Sequence, residues 1–508
     1  MSRVRAGWIT LLILGVYLAL GISTALTRSP WQDEAWFASP AWNLARNGFM
    51  GTTILDPASS TWKSVSLTGI DRHTYWVMPL SLLLNSGVFR LLGFSSFAMR
   101  LPALVFGLFF LLGWRTILRR LGAPHEVATL ALLLIAVDYH FQSQAADGRM
   151  DAMTAGLGYC AIAAYLVLRE RSFRLAVCAS QALAAAAFFT HPNGALLVLL
   201  LAVTTLYLDR KRLNVATVAI ASAPYLLLAA GWGLYISEDP AAFRAQLLGN
   251  ASGRGPTITA PLAALKAEIV SRYMYNFGLA PWSSGSGRLN LAPLLLLLAG
   301  TAICLASGQL RSHPGYRLIL FWAAITAFYL TFLEGLKTRF YLIYLTPLYS
   351  VLCAIAAVWL WHRRPKTRVV VATALAVLVL LQGLRTAAIA ARRPKQTSFA
   401  PAVAFLRDHY TRSTFIMGDG SLMFGVGPDW NLLDDFRLGF NTGKRPQVIV
   451  VDESWEDRIG MLRQLSPEIW QHTQNVLADY SETYNHASYR ILERSRPTVT
   501  SGSADRRQ

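Results

Sequence analysis

Apolar runs of fifteen to twenty-two residues recur along most of the sequence, separated by short loops rich in Arg and Lys. A helix needs about 20 such residues to cross the roughly 30 Å hydrocarbon core of a bilayer. Eleven runs suit that use: 6–26, 99–118, 126–143, 152–168, 173–189, 194–208, 215–236, 291–308, 317–334, 340–361 and 369–389. The expected fold is mainly α, a polytopic helical membrane protein of about eleven spans. Only 15% of residues are charged, against about 25% in soluble domains. The net charge of +19 would suggest nucleic acid in a soluble protein. Here the excess collects in short loops, as cytoplasmic loops do, so no nucleic acid is implied. The four cysteines all lie in apolar runs and form no ligand spacing, so neither disulfides nor zinc are expected. Arg3 and Arg5 precede the first run and no small-residue cleavage site follows, so that run is expected to be retained.

Loop charge assigns the sides. A twelfth apolar segment, Tyr75 to Leu92, holds Pro79, Asn85, Gly87 and Arg90. If it does not cross, the basic loops 115–120, 169–174, 210–212, 311–317 and 363–368 share the side of Arg3 and Arg5. If it crosses, every one of them changes sides. It is therefore read as an interfacial helix. The N-terminus is then cytoplasmic, in a plasma (inner) membrane, and 27–98 is one long outer loop. Asp33, Glu34, the 144–151 region, His191, the 237–290 loop and the Lys337–Arg339 turn face outward, as does everything after about 390.

The outer side holds the chemistry. Asp33 and Glu34 lie between Trp31 and Trp36 directly after the first span. Tryptophan prefers the membrane interface, so the two carboxylates are placed at headgroup depth, where one can act as a base on a lipid-borne substrate. Ser39-Pro40 resembles a helix start and Asn47-Gly48 the matching stop. Lys63, Arg72 and His73 follow, suited either to a phosphate or to lipid headgroups. The turn from Asp138 to Asp151 concentrates three carboxylates, His140 and Arg149. Such groups beside a span are costly unless paired or functional. Asp151 either orients substrate or simply pairs with Arg149. His191 in His191-Pro192-Asn193-Gly194 is either a ligand contact or a turn residue. Lys337 and Arg339 are outer cations that topology does not require, so they and Tyr341 are candidates for an anion.

Residues 392–493 change character: Thr414–Met417 and Gln447–Val451 are strand-length, with helical stretches at 399–410 and 457–479. A small extracytoplasmic α/β domain is expected there, after a transmembrane part of 1–391, with 494–508 as a disordered tail. Gly418-Asp419-Gly420 lacks a nucleotide-binding pattern, which argues against a sugar-nucleotide donor.

Five segments together resemble a known group. They are Asp33-Glu34, Leu92-Gly93-Phe94-Ser95-Ser96-Phe97-Ala98-Met99-Arg100-Leu101-Pro102, Arg149-Met150-Asp151, Thr190-His191-Pro192-Asn193-Gly194 and Lys337-Thr338-Arg339-Phe340-Tyr341. In this order, over about 310 residues, they resemble the GT-C glycosyltransferases that use polyprenyl-phosphate sugars. The nearest branch holds the bacterial aminoarabinose transferases and protein O-mannosyltransferase-like proteins (glycosyltransferase family 39). The resemblance implies an acidic base in the first outer loop, here Asp33, with Glu34 or Asp151 orienting sugar or acceptor. It implies a polyprenyl-phosphate-linked sugar as donor, membrane lipid around it, and a lipid, glycan or protein acceptor. Substrate or phosphate contacts would come from Lys63, Arg72, His73, Arg149, His191, Lys337, Arg339 and Tyr341. The family often opens its interfacial helix with Lys-Pro-Pro or His-Pro-Pro, whereas Val77-Met78-Pro79 stands here. The sequence assigns no cofactor, and Asp33 with Asp151 could hold a divalent cation, although the ligand set is incomplete. A transporter or lipid flippase is the alternative. Against it, the charges gather at span ends on one side and the spans do not repeat.

Overall fold

The computed structural model describes residues 3–58, 66–252, 255, 257–279 and 289–495. Lys63 lies outside them, as do Trp62, Arg254, Trp282, Arg288 and the tail beyond 495. In chain order the main helices are α1 (Arg3–Thr27), α2 (Gln32–Asn47), α3 (Pro79–Leu92), α4 (Ser96–Arg120), α5 (His125–Val137), α6 (Tyr139–Ala145), α7 (Asp151–Leu168), α8 (Phe173–Thr190), α9 (Gly194–Asp209) and α10 (Val215–Ile236). They continue with α11 (Pro240–Ser252), α12 (Pro261–Ala267), α13 (Leu291–Ala306), α14 (Pro314–Phe328), α15 (Thr346–Arg363) and α16 (Arg368–Arg392).

Each of the eleven apolar runs is helical over most of its length. Among the described residues, eight helices are long and apolar enough to cross a membrane. The remaining three runs give the shorter helices α5, α9 and α13, of 13, 16 and 16 residues. The run 126–143 divides at Asp138, whose carboxylate accepts the Phe141 N–H at 2.7 Å and caps α6. An aspartate inside a helix competes for backbone donors in this way. The segment read as interfacial forms α3, whose 14 residues reach only about 21 Å. The buried interior of the bundle is apolar and aromatic, with Trp114 against Tyr159 and Trp322.

α2 departs from the expected boundaries. It starts at Gln32, eight residues before Pro40, which is carried inside the helix. The reason is local: Trp31 is extended, and Glu34 reaches back to accept the Trp31 N–H at 3.2 Å, one half of a capping box. The stop is where the sequence puts it, at Gly48 with φ +83°.

After α16 come two short strands, β1 (Ile416–Met417) and β2 (Leu432–Leu433), then β3 (Val448–Asp452), β4 (Tyr480–His486) and β5 (Tyr489–Arg494). They form one sheet in the order β2-β1-β3-β5-β4, parallel through β3 and antiparallel beyond. The sequence reading missed β2 and β4. The single helical stretch expected over 457–479 is two helices, Glu453–Leu465 and Pro467–Ala478, divided where Pro467 cannot continue the first. Strand side chains alternate between two faces. Met417, Ile449, Val451 and Leu492 face those two helices through Trp455, Ile459 and Leu462 of the first and Val476 of the second. Ile416, Val448, Val450 and Ile491 share a second core with Phe37, Leu82 and Phe89 of α2 and α3. The C-terminal sheet thus covers α2, the helix whose first turn carries Asp33 and Glu34.

Candidate active site

Two acids in the first turn of a helix are favoured by the backbone dipole. Successive helical residues point about 100° apart, so Asp33 and Glu34 meet different surroundings. Glu34 turns inward and is fully buried. Arg100 Nε and Nη2 donate to its two oxygens at 2.6 Å each, and the Gly148 N–H adds a bond at 2.8 Å. Together with the Trp31 N–H, each oxygen accepts twice. Burial pushes this carboxyl up, but Arg100, Arg28 and the Gly148 N–H outweigh it and hold it below the ordinary carboxylate range. The other Arg100 donors reach the carbonyls of Ala25, Arg28 and Ser29. Gly148 is required: a Cβ there would stand 2.6 Å from Met99 and 3.2 Å from Glu34. Glu34 is a tie between α2, α4 and the 146–150 loop, with no lone pair left for substrate.

Asp33 turns the other way, with 22% of its side chain exposed. Its Oδ2 is held by Arg149 Nη1, while Oδ1 accepts no hydrogen bond from any described residue. Arg149 Nε donates to Asp151 Oδ2 at 2.9 Å, and its guanidinium lies 4.0 Å over the Phe340 ring. Phe340 stacks on Trp31, whose indole N–H donates to Asp147 at 3.0 Å, and Asp147 faces Arg28 at 3.4 Å. Burial raises the Asp147 carboxyl to about 6 against the pull of Arg28. Asp151, the first residue of α7, is fully buried, and its Oδ1 has no hydrogen-bond partner. From the other side Asp419 of the C-terminal sheet approaches Asp33 closely enough for their charges to repel.

The sequence-predicted binding residues among those described separate into four groups. Arg149 joins Asp33 to Asp151, so its charge is matched twice within the protein. His191 and Tyr341 close the same wall, with rings 5.5 Å apart; His191 Nδ1 accepts the Asn193 N–H at 3.0 Å and shapes the turn. The anion partner expected for Lys337 gives way to a structural one. Its ammonium donates to the carbonyls of Leu330, Thr331 and Glu334 at 2.5 to 2.8 Å and faces Glu268 at 3.5 Å, capping a helix end. Burial lowers its pKa. Arg72 is exposed, and His73 stacks on Tyr75 with its Nδ1 3.6 Å from Glu238. Among the described residues no hydrogen bond, ion pair or ring contact joins Arg72 or His73 to Asp33, Arg149 or Arg339.

Arg339 is different: it is exposed, and among the described residues no carboxylate lies within 4 Å of it. It lines two adjoining clefts of about 230 and 200 Å³ that share Tyr139, Ser143 and Arg339. Arg28 enters the first and Arg385 the second. Arg385 lies 3.5 Å over the Tyr139 ring and donates to Asn290. Sequence reading missed Arg28, Arg100, Arg385 and the role of Asp147. The signal available was a charge inside or bordering an apolar run, which Arg100 and Arg385 both show. Asp33 and Asp151 do not fit a divalent ion as they stand, because Arg149 lies between them. Among the described residues no group of three or more His, Cys, Asp or Glu side chains has metal-binding geometry.

No protein-family model and no curated protein matches the sequence. Solved structures do match its fold. ArnT from Cupriavidus metallidurans bound to undecaprenyl phosphate superposes with a TM-score of 0.60 at 15% identity, over 96% of this chain and 98% of that one. The Archaeoglobus fulgidus oligosaccharyltransferase gives 0.54 at 12% identity, over 96% and 75%. The mycobacterial arabinofuranosyltransferase AftD gives 0.53 at 13% identity, over 98% of this chain and 40% of that one. The chain therefore has the fold of the GT-C glycosyltransferases.

Proposed function

We propose that the protein is an inverting glycosyltransferase, moving a sugar from a polyprenyl-phosphate donor to a hydroxyl acceptor on the extracytoplasmic face of the inner membrane. The observation that carries this reading is the division of labour between the adjacent acids. Both Glu34 oxygens are saturated by the protein, whereas Asp33 keeps Oδ1 unbonded and partly open. ArnT was solved with undecaprenyl phosphate and the archaeal oligosaccharyltransferase AglB with a dolichol-phosphate, which supports a lipid-phosphate donor.

In this reading Asp33 takes the proton of the acceptor hydroxyl. The acceptor oxygen bonds to the anomeric carbon as the bond from that carbon to the phosphate oxygen breaks. The leaving polyprenyl phosphate gains negative charge, which Arg339, Arg385 and Arg28 are placed to receive in the adjoining clefts. Arg149 holds one Asp33 oxygen and, through Asp151, is itself held against α7. The N-terminus lies on the cytoplasmic side and the C-terminal sheet outside, over the base. The test is release of polyprenyl phosphate by purified protein given a lipid-linked sugar and a hydroxyl acceptor. Release that is lost in Asp33→Asn supports the reading; full activity in that variant overturns it. A transporter or flippase would move the lipid and release nothing.

A further inference from the structure

A separate cleft opens at the far end of α2, between that helix and the 428–431 segment of the C-terminal region. It holds about 430 Å³, within the range of small-ligand sites. Its walls are Trp42, Arg46 and Asn47 on one side and Asp429, Trp430 and Asn431 on the other. Trp42 is preset, edge-on to Phe89 and Phe94 at 6.2 and 5.4 Å. Trp430, half-buried, presents an indole N–H that bonds to no described residue, and the same holds for the side-chain amide of the exposed Asn431.

The charges cancel. Arg46 Nη1 donates to both Asp429 oxygens at 3.1 and 3.2 Å, with each side chain 53% exposed. Arg46 keeps Nε and Nη2, and Asp429 keeps lone pairs, for something outside. Such an exposed pair adds little stability by itself. Two indoles beside planar amides, a guanidinium and a carboxylate suit one ligand chemistry. A sugar ring has an apolar C–H face that stacks on an aromatic side chain, and a rim of adjacent hydroxyls that needs paired donors and acceptors. The net neutrality of the walls does not suit a phosphate headgroup, and their polar rim does not suit an acyl chain.

We propose that this cleft is a saccharide-binding subsite that takes a neutral sugar unit of the acceptor. Asn43, beside it, is ten residues from Asp33, which places the cleft about 15 Å along α2 from the base. An acceptor bridging both positions is a glycan of several units, held between the two halves of the chain. This deepens the transfer reading and rests on it for the word acceptor, but binding can be measured without transfer.

The experiment titrates the purified full chain in detergent with arabino-, manno- and gluco-oligosaccharides of two to six units, followed by saturation-transfer NMR and tryptophan fluorescence. At least one series is expected to bind. Trp430→Ala and Asn431→Ala each weaken that binding at least tenfold, and Trp430→Phe retains it. Asn431 is exposed, so its variant tests the site even where Trp430→Ala fails to fold. Absence of binding by every series, or binding insensitive to both Asn431→Ala and Trp430→Ala, overturns the subsite and leaves polyprenyl phosphate release as separate support for transfer. Binding that persists in a protein releasing no polyprenyl phosphate overturns the transfer reading and keeps the subsite.

Discussion

Glu34 and Arg100 meet through two 2.6 Å hydrogen bonds at a point where neither side chain reaches solvent. Removing either partner strands a buried charge, which costs about 3–5 kcal/mol. Glu34→Gln and Arg100→Met are each expected to lose about that much stability, read by thermal unfolding in detergent. The double variant should lose less than the sum of the two, because neither charge is then stranded. Wild-type stability in both single variants would show that the pair does not tie α2 to α4.

Asp33 should behave in the opposite way. In Asp33→Asn the guanidinium of Arg149 still has Asp151 as a partner, so unfolding should change little. Polyprenyl phosphate release should fall about 10²- to 10⁴-fold, the usual contribution of a positioned base. A stability loss matching the loss of rate would reassign Asp33 as structural.

Arg339 and Lys337 are two residues apart and should separate cleanly. Arg339→Ala and Arg385→Ala remove donors from the clefts, so the donor KM should rise roughly ten- to a hundredfold, as expected of about 1.5–3 kcal/mol for a charged hydrogen bond. Lys337→Ala removes the cap from the Leu330, Thr331 and Glu334 carbonyls and should lower thermal stability with the donor KM unchanged. A raised donor KM in a stable Lys337→Ala protein would restore it to the phosphate site.

Arg149 stands where a cation between Asp33 and Asp151 would have to be. Chelation with EDTA is therefore expected to leave polyprenyl phosphate release unchanged. A rate that falls more than tenfold with EDTA and returns with added Mn²⁺ or Mg²⁺ would show that the guanidinium yields its place to a metal.

The apolar helices were legible because a hydrocarbon layer imposes a length and an apolarity that survive in any sequence. The acidic pair was legible because charge at a span end is costly. What the pair does was not legible, since the choice between Asp33 and Glu34 depends on helix phase. That phase was set by α2 starting at Gln32, through a Glu34 side chain bonding back to Trp31, whereas Ser39-Pro40 looked like the better start. Partners distant in sequence were hidden too: Arg100 lies 66 residues from Glu34. Asp434 lies 402 residues from Gln32, to which it is bonded. Lys337, which the sequence marks as a cation without a topological cause, caps a helix end through the carbonyls of Leu330, Thr331 and Glu334.

The contact between Asp434 and α2 gives a pH dependence with a definite sign. Asp434 Oδ2 accepts from Gln32 and Trp36 at 2.8 Å and from the Gly420 N–H at 3.0 Å, while Oδ1 has no hydrogen-bond partner. Burial, with Asp419 adding repulsion, raises this carboxyl to about 7 against Arg458 and the Gln32 and Trp36 bonds. Burial and Asp419 likewise bring Asp452 to about 7. A carboxyl raised on folding holds its proton in the native protein after the unfolded chain has lost it. Its stabilisation is complete below the unfolded value near 4 and disappears as pH rises through 7, at up to about 1.4 kcal/mol per unit and group. Asp147, raised to about 6, acts in the same direction. Glu34 acts in the other, but its change lies below its ordinary value of 4.5 and outside the window from pH 5 to 8. The C-terminal sheet should therefore hold α2 more firmly at pH 5 than at pH 8, seen as a higher melting temperature and slower proteolysis between 392 and 495. Asp434→Asn, neutral throughout, should flatten much of that slope. A melting temperature that climbs from pH 5 to 8 in the wild-type protein would mean that Asp434 meets α2 as a charge.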